Sequence, residues 1–144
     1  MHPFSKDYGY FYLIQLQPES RPDEFKIGYS KNYERKMYEC WIFCPQAILV
    51  SVWPCKQEWE SDAVIHATND ILQVSNRVYR GDINLIIEKL HNFFEDTFLN
   101  SDTIMINEEN LDVFNDYNNY MVSLLREVKL LNDRHSVEYL FRLE

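Results

Sequence analysis

Two short runs dense in aromatic and β-branched residues, Gly9 to Leu16 and Phe25 to Tyr29, flank a polar stretch holding Pro18, Ser20 and Pro22. Such side chains pack well on a pleated surface, and the prolines between them interrupt any continuous element. The pattern predicts a β-hairpin with a longish loop. Period-two alternation places Phe11, Leu13, Phe25 and Ile27 on one face, with Tyr10, Tyr12, Lys26 and Gly28 on the other. The first face reads as core and the second as a polar, tyrosine-rich surface.

Downstream, Ser30 and Asn32 offer caps for a helix of about Tyr33 to Trp41. That helix carries Arg35 and Lys36 in its first turn, where cations oppose the helix dipole, so they are expected to serve something other than helix stability. Ala47 to Trp53 reads as a third, largely buried strand ending at Pro54. Gln57 to Val74 reads as a helix with an apolar stripe of Ala63, Val64, Ala67, Ile71 and Leu72. Arg80-Gly81-Asp82 breaks the pattern, and Asp82 caps a helix through Leu99 with Ile86, Leu90, Phe93, Phe94 and Phe98 on its apolar side. From Glu108 to about Asn132, Leu111, Phe114, Asn118, Met121, Leu125 and Val128 recur at heptad spacing, and a shorter element covers Val137 to Leu143. The fold expected is α/β of the α+β kind. A three-stranded antiparallel sheet flanked by helices spans residues 8–99, and a helical extension over 101–144 packs on it or forms a dimer seam in which Asn118 fixes register.

Fourteen Lys and Arg against 23 Asp and Glu leave a net charge of −9, which argues against broad attraction to a phosphate backbone. Residues 1–50 are balanced, with six basic and six acidic side chains, so a phosphate-facing surface is expected in the N-terminal part. Cys40, Cys44 and Cys55 are too few for a disulfide scaffold and form no CxxC pair, so reduced, buried thiols are favoured over a zinc site. No run approaches membrane-spanning length, and a soluble protein of the cytoplasm is expected.

Three short motifs occur in a telling order: Gly9-Tyr10-Phe11-Tyr12, then Phe25-Lys26-Ile27-Gly28-Tyr29-Ser30, then Glu34-Arg35-Lys36. Together they resemble the GIY-YIG nuclease superfamily, and more narrowly the branch common in phages, viruses and some fungi in which the second motif reads KIG. Asp62-Ala63-Val64-Ile65-His66 resembles that branch's Glu-x-x-Leu/Ile-His helix motif, so the resemblance covers about residues 8–99. It implies a tyrosine that helps activate water, an arginine that stabilises the phosphate and a helix carboxylate that holds one divalent cation, Mg²⁺ or Mn²⁺. Carried over by position, the tyrosine is Tyr12, the YIG tyrosine becomes Lys26, the carboxylate is Asp62, and the arginine slot falls on Lys36 with Arg35 beside it.

A phenol near pKa 10 is a poor base at neutral pH, but a cation on the same face, such as Lys26, would favour phenolate. Lysine at position 36 is a point charge where a guanidinium would grip two oxygens, and aspartate at 62 is one methylene shorter than glutamate. Glu58, Asp62 and His66 follow at i, i+4 spacing, so Glu58 is a second candidate metal ligand beside Asp62. Tyr10, Lys31, Arg35 and Lys36 are the expected nucleic-acid contacts. The function expected is metal-dependent hydrolysis of a DNA or RNA phosphodiester. Its rivals are a catalytically reduced module that binds nucleic acid or a protein partner and, on charge alone, an acidic mimic of nucleic acid. The chain is expected to be a monomer or a homodimer through 108–132.

Overall fold

The computed structural model describes residues 7–100 and 110–143, with side chains from 117 to 141 in the second span. Its elements run β1 (Tyr8–Gln17), β2 (Arg21–Ser30), α1 (Tyr33–Phe43), β3 (Ile48–Lys56), a 3₁₀ turn (Gln57–Trp59) and α2 (Glu60–Thr68). There follow β4 (Leu72–Ser75), β5 (Val78–Arg80), α3 (Ile83–Leu99) and α4 (Asn110–Leu143). The sheet has five strands where three were expected, in the order β3-β1-β2-β5-β4 with every neighbour antiparallel. Two strands were hidden because Leu72 and Val74 continue the apolar spacing of α2, yet the helix stops at Thr68. Leu72 to Ser75 then forms the exposed edge strand β4.

The hairpin pairs Tyr12 with Gly28, Leu13 with Ile27 and Ile14 with Lys26, so Tyr12 and Lys26 share a face opposite Leu13. Both faces of the sheet are covered. On one, Phe94 of α3 lies 5.2 Å from Phe11 and 5.7 Å from Trp53 between ring centroids. On the other, the rings of Tyr10 and Tyr33 meet edge-on at 5.0 Å, and Tyr12 and Ile14 are buried. The tyrosine face is therefore a second core, contrary to the polar surface that its hydroxyls suggested.

Caps set the helix starts as the side chains dictate. The Asn32 carboxamide accepts from the Arg35 N–H, and the Asp82 carboxylate accepts from the N–H groups of Asn84 and Leu85. Helix α4 is continuous to Leu143 where a break before Val137 was expected. It buries Tyr117, Met121, Leu124, Val128 and Leu131, so the expected stripe positions Met121 and Val128 are packed, whereas Asn118 is half-buried and Leu125 exposed. The expected stripe positions Leu111 and Phe114, and the Glu108 start, lie outside the described side chains.

Helix α4 is tied to the edge strand β3 by Asn132, whose Oδ1 accepts from the Leu49 N–H at 3.1 Å while its Nδ2 donates to the Leu49 carbonyl at 2.8 Å. One side chain thus stands in for a neighbouring strand. The rings of His135 and Trp41 stack 3.7 Å apart just beyond it. Asn132→Ala should lower unfolding free energy by about 2 kcal/mol, because it strands two half-buried backbone groups. Chemical denaturation measures this, and a change below about 0.5 kcal/mol would show that water replaces the amide.

Candidate active site

Strand β5 is only three residues long and pairs with β2 from Glu24 to Lys26, so the outward-facing N–H groups farther along β2 need other acceptors. Ile27 donates to the Arg77 carbonyl at 3.1 Å. Tyr29 donates to Glu60 Oε2 at 3.1 Å. The first residue of α2 thereby places a carboxylate at the edge of the sheet, and Arg77 Nη2 lies 3.8 Å from that same oxygen. Both side chains keep about a third of their surface or less in solvent, 33% for Arg77 and 27% for Glu60.

Arg77 ends the two-residue connection Asn76–Arg77 between β4 and β5. Among the described residues it is the one non-glycine with positive φ, at 62°.

Tyr12 reaches the same place from within the sheet. Its phenol lies over Gly28, directly opposite, where an added Cβ would come 2.6 Å from the phenolic oxygen. A mirrored arrangement occupies the other face, where the Tyr29 phenol lies over Gly9. Burial pushes the Tyr12 phenol up to about 12; Glu60 and Cys40 add to this, and Arg77 opposes it. Glu60 and Arg77 are therefore within electrostatic reach of Tyr12. From α1, the Lys36 ammonium lies 5.7 Å from the centre of the Tyr12 ring. Burial also raises the Cys40 thiol, with Cys44 adding to the effect, while Lys26 and Lys36 pull it down.

The expected residues divide clearly. Lys36 meets Tyr12, and Lys26 lies on the same sheet face as Tyr12. Arg35 does neither: its side chain is 80% exposed and pairs with Glu39 at 3.4 Å on the outside of α1. Asp62 is exposed on α2. Glu58 lies in the 3₁₀ turn ahead of that helix, so Glu58, Asp62 and His66 are not one helical face; Glu58 lines a cleft of about 510 Å³ with Tyr29, Lys31 and Lys56. Tyr10 is turned into the fold, its hydroxyl 3.2 Å from that of Tyr120 on α4, and it lines a separate groove of about 440 Å³ that also holds Lys31, Asn32 and Glu127.

Glu60 and Arg77 are the site residues that sequence reasoning missed. Glu60 falls two positions before the Asp62 motif, and on a helix two positions is more than half a turn. Arg77 belongs to a hairpin that was read as helix and loop. The one available clue was the alternating Leu72-Gln73-Val74-Ser75 run followed by Asn76 and by Val78-Tyr79, a strand-turn-strand pattern.

Among the described residues, no three His, Cys, Asp or Glu side chains converge in a way that could hold a metal ion. Glu60 alone can offer a carboxylate oxygen at the Tyr12 centre. That donor set suits Mg²⁺ or Mn²⁺, which keep most of their water and substrate ligands, and it does not suit a structural zinc. No helix of the described residues is long and apolar enough to cross a membrane. Comparison with protein-family models, with curated proteins and with solved structures finds no match.

Proposed function

We propose that this chain hydrolyses a nucleic-acid phosphodiester, in the manner of the GIY-YIG nucleases that its motifs resemble, at a centre built from Tyr12, Lys26, Lys36 and Glu60. The observation that carries the reading is the Tyr12 phenol lying over the KIG glycine, with the Lys36 ammonium 5.7 Å from the centre of its ring and Glu60 within electrostatic reach. Glu60 supplies a full-length glutamate at the sheet, so the shorter Asp62 is not needed as the metal ligand.

The residues divide the work by charge. Lys36 and Lys26 neutralise the phosphate and the charge that develops on its oxygens. A magnesium or manganese ion held by Glu60 would supply Lewis acidity to the phosphodiester and to the attacking water. Tyr12, with its phenol held near 12, is protonated at neutral pH and positions water through its hydroxyl. Its anionic form, the one able to accept a proton, grows about tenfold per pH unit, so the rate should rise with pH across the range in which the fold is intact.

A second reading has its own support. Glu60 already accepts from Tyr29 and pairs with Arg77, so it could serve the fold alone, in a module that binds nucleic acid or a protein without cutting. Plasmid nicking separates the two. The enzyme reading expects nicking with Mg²⁺ or Mn²⁺ that stops with EDTA and falls at least about a hundredfold in Tyr12→Phe, with the thermal midpoint unchanged. Equal nicking by the parent and Tyr12→Phe would reject this centre, and salt-sensitive DNA binding without nicking under any divalent metal would select the module.

A further inference from the structure

We infer that the far ends of α1 and α4 form a self-complementary patch through which two copies of this chain pair about a two-fold axis, with Phe43 of each copy seated in a cleft of the other. The two helix ends are fixed against each other, since the Trp41 and His135 rings stack at 3.7 Å and His135 Nε2 lies 2.7 Å from the Pro45 carbonyl oxygen. Beside that joint lies a cleft of about 420 Å³, walled by Pro18, Pro45, Ala47, Ile48, Tyr139 and Leu140. Around it, large apolar side chains stand in solvent. Phe43, the last residue of α1, is 87% exposed, Ile42 73%, Phe141 71% and Leu140 62%. Phe43 and Phe141 alone present roughly 300 Å² of apolar surface. With Ile42 and Leu140 the patch reaches the size that marks an interface, and its polar rim carries it toward the roughly 800 Å² per partner of a standard one. Residues 40–55 hold no charged side chain in a chain of net charge −9, and Glu19 is the one carboxylate on the cleft, so two copies meet here with little like-charge repulsion. A small ligand in the cleft would leave both phenylalanines in water, whereas a second copy covers them. Phe43 lies two positions from Pro45 on the cleft wall, so knob and hole share one patch, as a contact that closes at two copies requires. An aromatic side chain filling an apolar pocket is the kind of anchor that dominates such interfaces.

The test uses the full chain without nucleic acid or metal, so its outcome is independent of the proposed hydrolysis. Sedimentation velocity from micromolar to millimolar concentration should show monomer passing to dimer. Phe43→Ser removes the knob, and Ser136→Trp fills the hole from an exposed position of α4 on the cleft wall. Each should weaken self-association at least about a hundredfold and leave the thermal midpoint unchanged, because both positions lie outside the core. An equal mixture of the two variants should recover dimer at intermediate affinity, since one copy keeps its knob and the other its hole, which restores one of the two contacts. A chain that stays monomeric at every concentration would overturn the inference and leave the patch to a different protein. Dimers that persist in Phe43→Ser would overturn it too, and would move the seam elsewhere, such as to residues 108–132. A mixture no more associated than either variant alone would equally reject it, because Phe43 would then not enter the cleft.

Discussion

Glutamine at position 60 should reduce metal-dependent nicking by about a thousandfold, whereas Asp62→Ala should leave the rate within about twofold of the parent. Glutamine is the informative replacement because its amide oxygen can still accept from the Tyr29 N–H, so the sheet edge keeps its cap. What is lost is the charge that would hold a divalent cation and pair with Arg77. Asp62, exposed on α2, has neither task. Single-turnover cleavage measured across a Mg²⁺ series would locate the defect, since a lost ligand raises the metal requirement as well as lowering the rate. Should Glu60→Gln cut normally while Asp62→Ala does not, the sequence motif would outrank the geometry. If both cut normally, neither carboxylate holds the metal.

The largest effect on stability is expected in alkali. Tyr12, Tyr33 and Tyr117 are each at most 5% exposed, and burial is the leading cause that raises each phenol. For Tyr33, the hydrogen bond to Glu127 adds to the effect. A phenol that ionises near 10 in the unfolded chain but higher in the fold contributes its full stability below pH 10 and loses it as pH rises through the folded value. For Tyr12 the whole loss, from the usual 10.0 to about 12, is worth about 3 kcal/mol. Together the three phenols remove about 4 kcal/mol per pH unit above 10, against a total of roughly 5–15 kcal/mol for a domain. Burial likewise raises the Cys55 thiol, followed by Glu60, and this adds to the slope. The chain should therefore unfold cooperatively between about pH 11 and 13. Tyrosinate absorbance should appear in the same transition that removes the far-ultraviolet circular dichroism. Smooth titration of every tyrosine near pH 10 with the fold intact would contradict the second core on the Tyr12 face.

The hairpin was legible because period-two alternation on both sides of the turn at Pro18 fixes which faces the two runs share, and Tyr12 and Gly28 lie on one face as the alternation requires. Asn32 and Asp82 were legible as caps because their short side chains reach backbone N–H groups locally. Where contacts are long-range, the sequence was silent. Glu60 caps a strand 31 positions away, and nothing local distinguishes it from any acidic residue in a first helical turn. Along α4 the stripe positions Met121 and Val128 are packed as expected, but in place of Asn118 and Leu125 the buried face holds Tyr117 and Leu124, one position earlier. A tyrosine reads as amphipathic in sequence, yet here it stacks on Phe98 at 4.5 Å and counts as core.

The two tyrosine-over-glycine sockets have a consequence for how the chain finds its fold. Tyr12 fits where residue 28 lacks a side chain, and Tyr29 fits where residue 9 does, on opposite sides of one hairpin. Sliding β2 by two residues would keep every face assignment, so the alternation of apolar and polar positions alone would not oppose it. It would, however, bring Tyr12 opposite Lys26 or Ser30, with a side chain where the phenol now lies. A pair of glycines thus acts as a two-pin key that admits a single alignment before any helix has docked, and a methyl group at either pin should trap the nascent hairpin in mispaired states and slow refolding.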